Sequence, residues 1–209
     1  MNPEVYLIRH ANSEYNHDFP HLICGRNNSV PLTERGIEQS KNLGRHLLRA
    51  GLFPTQVHIS PAVRTMATAV YSLGELWVDI EPQIDYALQE MSQGIFEGLD
   101  RDETYNEAVK AEILRVEKDF KLEGGESMNE TCARMQGWLD DTAELTAPDS
   151  RTFVYTHGMA IRCLLGGMYG WSHEQTRATG ITPNTSIAKL VFDGSQWELD
   201  YCSKKPEDL

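Results

Sequence analysis

The chain has 209 residues, 40% hydrophobic and 24% charged, which is the composition of an ordinary globular protein large enough for one well-buried core. Its 19 Lys and Arg residues and 31 Asp and Glu residues give a formal net charge of −12 at pH 7. Because nucleic acids and anionic membranes are bound through basic surfaces, this balance argues against both as partners. Taken alone, it also argues against a phosphorylated substrate.

The cysteines and the apolar runs predict the compartment. No two of the four cysteines lie within four residues of each other, so the spacing of zinc sites and of CxxC redox motifs is absent. The apolar stretch before Arg9 is too short for a signal peptide, and the sequence has no run of 18 apolar residues. We therefore expect a cytoplasmic protein with free thiols.

Short β-branched apolar runs alternate with segments of helical periodicity. Strands are predicted at 5–8, 56–59 and 152–156, and each is followed by a predicted helix. The helices include 34–48 and one that follows residue 59. In the latter, Ser60 is the predicted N-cap and Pro61 the first helical residue, with an apolar face formed by Val63, Met66, Ala67 and Val70. This order predicts an α/β fold, a three-layer αβα sandwich with a mostly parallel central sheet.

Three further elements follow in the second half of the chain. A charged segment at 105–120 carries apolar residues at helical spacing and is predicted to be a surface helix over the end of the sheet. The sequence from Ser127 to Glu130 is typical of a capping box and predicts a helix with Met128, Cys132, Met135 and Leu139 on one face. Near the C-terminus, Asp193-Gly194 between two apolar runs predicts a β-hairpin.

Cationic and imidazole side chains follow three of the predicted strands. Arg9 and His10 end the first strand, Arg64 lies in the first turn or so of the helix after the second, and His157 ends the third. Ligands of open α/β sheets bind at the carboxyl ends of the strands. Helix N-termini and guanidinium groups both bind phosphate, and an anion would offset the unfavourable position of a cation at a helix N-terminus. The convergence of these residues predicts a phosphate pocket.

Five blocks of the sequence, in order, resemble the motifs of the histidine phosphatase superfamily, which includes the cofactor-dependent phosphoglycerate mutases. They are 9–16 (RHANSEYN), 25–26 with 31–36 (GR and PLTERG), 60–69 (SPAVRTMATA), 88–98 (LQEMSQGIFEG), and 125–127 with 156–158 (GES and THG). The resemblance covers about residues 5–192. It implies a single phosphoglycerate mutase-like domain over 1–209, with a helical insertion at about 100–125 over the active-site edge. Ala11 departs from the family pattern, which has glycine there.

The resemblance assigns roles to individual residues. It implies that His10 forms a phosphohistidine and that Arg9, Arg64 and His157 neutralise the phosphoryl oxygens. It also implies that Glu90 protonates the leaving oxygen and then activates water, which requires a carboxyl kept partly protonated by burial or by a neighbour such as Glu97. The remaining substrate-binding candidates are Ser13, Asn16, Gly25, Arg26 and Gly158. No metal ion or other cofactor is expected.

Three functions stay open at this stage. The first is hydrolysis of a small phosphorylated metabolite by a monomer or homodimer of the phosphatase branch. The second is phosphoglycerate mutase-type transfer, which we disfavour because 90–94 (EMSQG) lacks the Arg and Tyr that the family's mutases carry there. The third is a non-catalytic phosphate-binding module, which would not need His10, Glu90 and His157 together. A metal-dependent hydrolase is disfavoured because the histidines lack ligand spacing.

Overall fold

The sheet is the centre of the molecule. In a computed structural model, which describes residues 1–178 and 182–209, its strands are β1 (Glu4–Arg9), β2 (Gln56–Ile59), β3 (Gln83–Ile84), β4 (Arg151–Thr156), β5 (Ile187–Phe192) and β6 (Trp197–Lys204). Their order is β3-β2-β4-β1-β5-β6. The first four are parallel, whereas β5 and β6 pair antiparallel, as the predicted hairpin requires. The α/β fold with a mostly parallel sheet is therefore confirmed.

Helices cover both faces of the sheet. They are α1 (Glu14–His17), α2 (Glu34–Arg49), α3 (Val63–Leu76), α4 (Arg101–Thr104), α5 (Glu107–Val116), α6 (Met128–Asp141), α7 (Gly158–Met168) and α8 (His173–Ala178). Alternate residues of β1 point to opposite faces: Tyr6 and Ile8 pack with α2 and α3, and Val5 and Leu7 pack with α6 and α7. A central strand buried on both sides is apolar throughout, which is why β1 has no polar alternation.

The predicted helices are present, but the predicted start of one of them was wrong. Helix α2 matches the predicted segment, and α6 begins with the predicted capping box of Ser127 and Glu130. Helix α3 begins only at Val63, with Ala62 as its N-cap, so the prediction of Ser60 as N-cap was wrong. The hydroxyl of Ser60 instead contacts the ring of His157.

The predicted apolar face of α3 was also wrong. Val63 and Val70 are 38% and 67% exposed, and the buried face is formed by Arg64, Thr65, Thr68, Ala69, Ser72 and Leu76. Small and hydroxyl side chains suit this face because α2 approaches closely: a Cβ on Gly44 would lie 2.2 Å from the carbonyl oxygen of Ser72. The hydroxyls of Thr68 and Ser72 are satisfied by carbonyls of their own helix.

Gly36 on α2 is predicted to be intolerant of any side chain. A Cβ there would lie 2.0 Å from the carbonyl oxygen of Asn12, in the loop that follows His10. We expect Gly36→Ala to lower the free energy of unfolding by about 3 kcal/mol, because backbone must move. Gly137→Ala on α6, where a Cβ meets open space, should raise it by up to about 1 kcal/mol. Urea denaturation of both variants measures the difference, and equal stabilities would contradict the expectation.

None of the helices in the part of the chain that the structure describes is long and apolar enough to cross a membrane.

Candidate active site

A cavity of about 640 Å³ opens at the carboxyl ends of the parallel strands. Seven of the ten predicted site residues line it: Arg9, His10, Ser13, Asn16, Gly25, Arg64 and Glu90. The other three do not line it: His157 is the N-cap of α7 and Gly158 its first residue, and Arg26 contacts the Glu90 carbonyl and Glu126. The segment that carries α4 and α5 contributes lining residues to the cavity, among them Arg101, Tyr105, Ile113 and Phe120.

His10 is buried and held in one tautomer. Its ring Nδ1 lies 2.8 Å from the carbonyl oxygen of Ala11, which can only accept a hydrogen bond. Nδ1 therefore carries the proton, and Nε2 keeps its lone pair. Burial, followed by the charges of Arg64 and Arg9, holds the pKa of His10 well below its usual value. The side chain is thus a neutral imidazole.

His157 is also neutral, with both ring nitrogens engaged. Nδ1 lies 3.1 Å from Nη2 of Arg64, and because a guanidinium can only donate, Nδ1 is the acceptor. The ring proton is therefore on Nε2, which donates to the hydroxyl oxygen of Ser60 at 2.8 Å. Burial, followed by the charge of Arg64, holds the pKa of His157 well below its usual value. His157 therefore orients the guanidinium of Arg64.

The two deeper arginines retain donors for a ligand. Arg64 is 1% exposed and donates to the carbonyls of Asn27 and Gly25, while Arg9 donates to the carbonyl of Thr182. The Nε atoms of Arg9 and Arg64 are buried and have no hydrogen-bond partner among the described residues. Such donors require an acceptor, and a phosphoryl group supplies several. A Cβ on Gly158 would lie 3.3 Å from Nε of Arg9, so the Arg9 guanidinium packs against this glycine and a side chain there would crowd it.

Glu90 lies against the N-terminus of α7. Its Oε1 accepts the backbone N–H of Met91 and of Ala160, both at 2.9 Å, and Oε2 accepts that of Met159 at 3.2 Å. The first turn of a helix has N–H groups without an intrahelical partner, and Glu90 satisfies two of those of α7. Oε2 accepts one hydrogen bond, which is longer than the two that Oε1 accepts.

Comparisons with known proteins agree with this geometry. The sequence model of the histidine phosphatase superfamily (branch 1) matches residues 5–204. The chain belongs to this superfamily. Curated relatives named "Probable phosphoglycerate mutase GpmB" are 29% identical over 199 residues in Salmonella typhi and 30% over 196 in Cronobacter sakazakii. Each alignment spans 93% of this chain and 87% of the relative.

Solved structures of the histidine phosphatase fold superpose on nearly the whole chain. A mycobacterial glucosyl-3-phosphoglycerate phosphatase gives a TM-score of 0.80 at 21% identity, covering 98% of this chain and all of the other. A phosphoserine phosphatase mutant from Entamoeba histolytica, bound to phosphoserine, also gives 0.80 at 21% identity and covers 96% of each chain. At this identity the likeness shows the fold.

Arg26 belongs to a network that supports Glu90. Its Nε donates to the backbone carbonyl of Glu90 at 3.0 Å, and its guanidinium is ion-paired with Glu126. Arg134 forms a two-pronged pair with the same carboxylate and donates to the carbonyls of Ala87 and Gln89. Burial alone would raise the pKa of Glu126, but the hydrogen bonds from Arg134 and Arg26 outweigh it and lower the pKa to about 2.

The carboxylate of Glu97 accepts hydrogen bonds from two loops. Its Oε1 accepts the backbone N–H of Arg26 and of Gln93, both at 2.8 Å, and the hydroxyl of Ser92. Glu97 thus joins two loops of this member of the histidine phosphatase superfamily. Gly25 is required beside it, because a Cβ there would lie 2.4 Å from Oε1 of Glu97 and the backbone has a φ of +50°.

Asn184 is a site residue that the sequence did not reveal. Its Nδ2 donates to the carbonyl of His10 at 3.1 Å and to Oδ1 of Asn16 at 3.3 Å. Asn16 Oδ1 also accepts the hydroxyl of Ser13 at 3.2 Å, so Ser13 and Asn16 are joined to the loop before β5. An asparagine in a loop carries no pattern that distinguishes it from a surface residue. Arg134, likewise unforeseen, lies in a helix where arginine is common.

The buried neutral histidines predict a loss of stability in acid. The unfolded chain takes up a proton on His10 near pH 6.5, whereas the folded protein does not, so the free energy of unfolding falls as the pH decreases below that value. The slope is about 1.4 kcal/mol per pH unit for each such group. In His10→Asn the amide can still donate to the Ala11 carbonyl, but no imidazole titrates. We therefore expect the free energy of unfolding of this variant to fall by about 1.4 kcal/mol less than that of the native protein between pH 6 and pH 5. Urea denaturation at several pH values measures this, and parallel stability curves would contradict it.

Proposed function

We propose that this histidine phosphatase hydrolyses small phosphomonoesters through a phosphohistidine formed on His10. The observation that carries the proposal is the tautomer of His10. Because Nδ1–H is committed to the Ala11 carbonyl, Nε2 keeps a lone pair, and Arg9 and Arg64 line the same cavity as His10. A neutral imidazole in that setting is a nucleophile directed at phosphorus.

In the first step, Nε2 of His10 forms a bond to phosphorus as the ester P–O bond breaks. Glu90 gives a proton from Oε2 to the departing oxygen, which leaves as the alcohol. The guanidinium groups of Arg9 and Arg64, two of the residues that line the cavity, bind the equatorial oxygens, and they supply cationic stabilisation of the kind that metal ions supply in other phosphoryl transfers.

In the second step, the carboxylate of Glu90 removes a proton from water. The resulting hydroxide bonds to phosphorus while the N–P bond to His10 breaks, which releases inorganic phosphate and restores both groups. His157 keeps Arg64 in place through its Nδ1 during both steps. Ser13, Asn16 and Asn184 hold the His10 loop.

A mutase reaction is the second candidate, since the curated relatives are named as phosphoglycerate mutases. One observation favours hydrolysis. The segment at 90–94 (EMSQG) lacks the Arg and Tyr of the mutase pattern. Relatives in fold that carry phosphatase names are consistent with this choice.

Product analysis separates the candidates. The protein is incubated with 3-phosphoglycerate and with a panel of phosphomonoesters in isotopically labelled water. Hydrolysis predicts inorganic phosphate that contains one labelled oxygen for every alcohol released. Isomerised phosphoglycerate without phosphate would establish the mutase instead. Binding of the esters without turnover or phosphoenzyme would establish the non-catalytic module.

A further inference from the structure

The cavity is far more cationic than the chain that encloses it. Six of its lining residues are Arg or Lys and three are Asp or Glu, although the whole chain has 19 basic and 31 acidic residues. Arg9 and Arg64 suffice for the transferred phosphoryl group. Four further basic residues line the cavity: Arg101, Lys110, Arg162 and Arg177. The cavity therefore carries more positive charge than the transferred phosphoryl group needs.

Among the residues that the structure describes, three of these four have no salt-bridge partner. Lys110 is paired with Glu107 at 2.8 Å and is neutralised. Arg162 donates to the backbone carbonyls of Gly158 and Arg177, at 3.2 and 2.8 Å, and Arg101 donates to that of Leu22 at 3.4 Å. Within 1–178 and 182–209, no salt bridge involves Arg101, Arg162 or Arg177. We refer to these three residues as the outer arginine cluster.

The outer arginine cluster is brought together around Tyr105. Tyr105 lines the same cavity as all three arginines, and its backbone N–H donates to the carbonyl of Arg101 at 2.9 Å. Arg162 is joined to this group through the carbonyl of Arg177. Arginine forks match the geometry of carboxylate and phosphate oxygens.

The same cavity has apolar walls. Ile113 and Phe120 line it from the segment at 100–125, and Met91 and Met159 line it next to Glu90. A volume of about 640 Å³ is that of a pocket for a whole organic ligand. The apolar wall indicates an apolar part of the substrate, and the arginines that the phosphoryl group does not use indicate a second anionic group.

We propose that the substrate carries a second anionic group, either a carboxylate or a second phosphate, which the outer arginine cluster binds. The organic body between the two anions has an apolar face that lies against Ile113 and Phe120. The proposal rests on the proposed phosphomonoesterase function and narrows it to one class of ester. It also accounts for a strongly acidic protein that keeps unpaired arginines in one cavity.

Matched esters test the second anion. The panel consists of ω-carboxyalkyl phosphates and carboxyphenyl phosphates of increasing length, each with its neutral carboxamide, and the corresponding bisphosphates. We expect kcat/KM for the best anionic ester to exceed that of its carboxamide by about tenfold or more, mainly through KM. The preference should fall as salt is added. Whether the carboxylates or the bisphosphates give the larger ratio identifies the anion.

Variants of the cluster show whether these arginines cause the preference. In Arg101→Met and Arg177→Met the ratio of anionic ester to carboxamide should fall by about tenfold towards one. The matched control is Arg115→Met, which removes an exposed arginine of α5 that is paired with Glu112 and does not line the cavity; the ratio there should be unchanged. A ratio below about two for every pair, or a ratio that survives in the Arg101→Met/Arg177→Met double variant, would overturn the proposal.

Binding separates this proposal from the proposed function. If no ester is turned over, the same pairs are titrated calorimetrically into His10→Ala, which cannot form a phosphoenzyme. Tighter binding of the anionic ester, lost in the double variant, supports the outer arginine cluster even if hydrolysis fails. Equal affinity for both members of every pair refutes the cluster, whatever the fate of the phosphoryl group.

Discussion

Replacement of His10 by alanine is expected to abolish the phosphoenzyme and to lower kcat for phosphomonoester hydrolysis by about 10⁴-fold or more. Nε2 of His10 is the neutral nitrogen held at the cavity with its lone pair free, and alanine offers no nucleophile there. Rapid quenching after brief incubation with a labelled phosphomonoester measures the effect. The native protein should yield an acid-labile, base-stable label that His10→Ala lacks.

His17→Ala is the matched control for this experiment. His17 is an exposed histidine paired with Asp18 and does not line the cavity, so both its label and its kcat should equal those of the native protein. Substrate binding to His10→Ala should persist, because Arg9 and Arg64 are unchanged. A label of native stoichiometry in His10→Ala would assign the covalent intermediate to another residue.

The position of the site could be predicted from the sequence because it follows from the topology. Parallel strands place their carboxyl ends at one edge, so Arg9, His10, Arg64 and His157 had to converge once β1, β2 and β4 were recognised. The net charge of −12 did not oppose this result, since the field that a small anion meets is that of the cavity and not of the whole surface.

The contacts that individual side chains make within the site could not be predicted from the sequence. Arg26 and Glu97 lie in blocks that resemble family motifs, yet their side chains bind loop backbone and Glu126, which only the fold of those loops decides. The buried face of α3 is polar because it packs on Gly44 and holds Arg64, so hydrophobic periodicity indicated the wrong side. Asn184 acts on the His10 loop from a segment distant in sequence.

Glu90→Gln should separate the two chemical steps by leaving group. With an alkyl phosphate, the departing oxygen needs a proton, and loss of the acid should lower the rate of phosphoenzyme formation by about 10²–10⁴-fold. With 4-nitrophenyl phosphate, the anion leaves unaided, so the first step should survive while the second lacks its base. The variant should therefore release about one equivalent of nitrophenolate in a burst and accumulate phosphohistidine. Stopped-flow absorbance and quenched label measure both quantities.

The matched control for this last experiment is Glu97→Gln. Glu97, like Glu90, accepts two backbone N–H groups through one oxygen, but it does not line the cavity. If Glu97 only ties loops together, its replacement should affect alkyl and nitrophenyl esters by the same factor and should not accumulate the intermediate. Equal losses on both esters in Glu90→Gln, without a burst, would reduce Glu90 to the same structural role. Selective loss on the alkyl ester, with trapped phosphohistidine, is a result that only a proton donor in contact with the leaving oxygen produces.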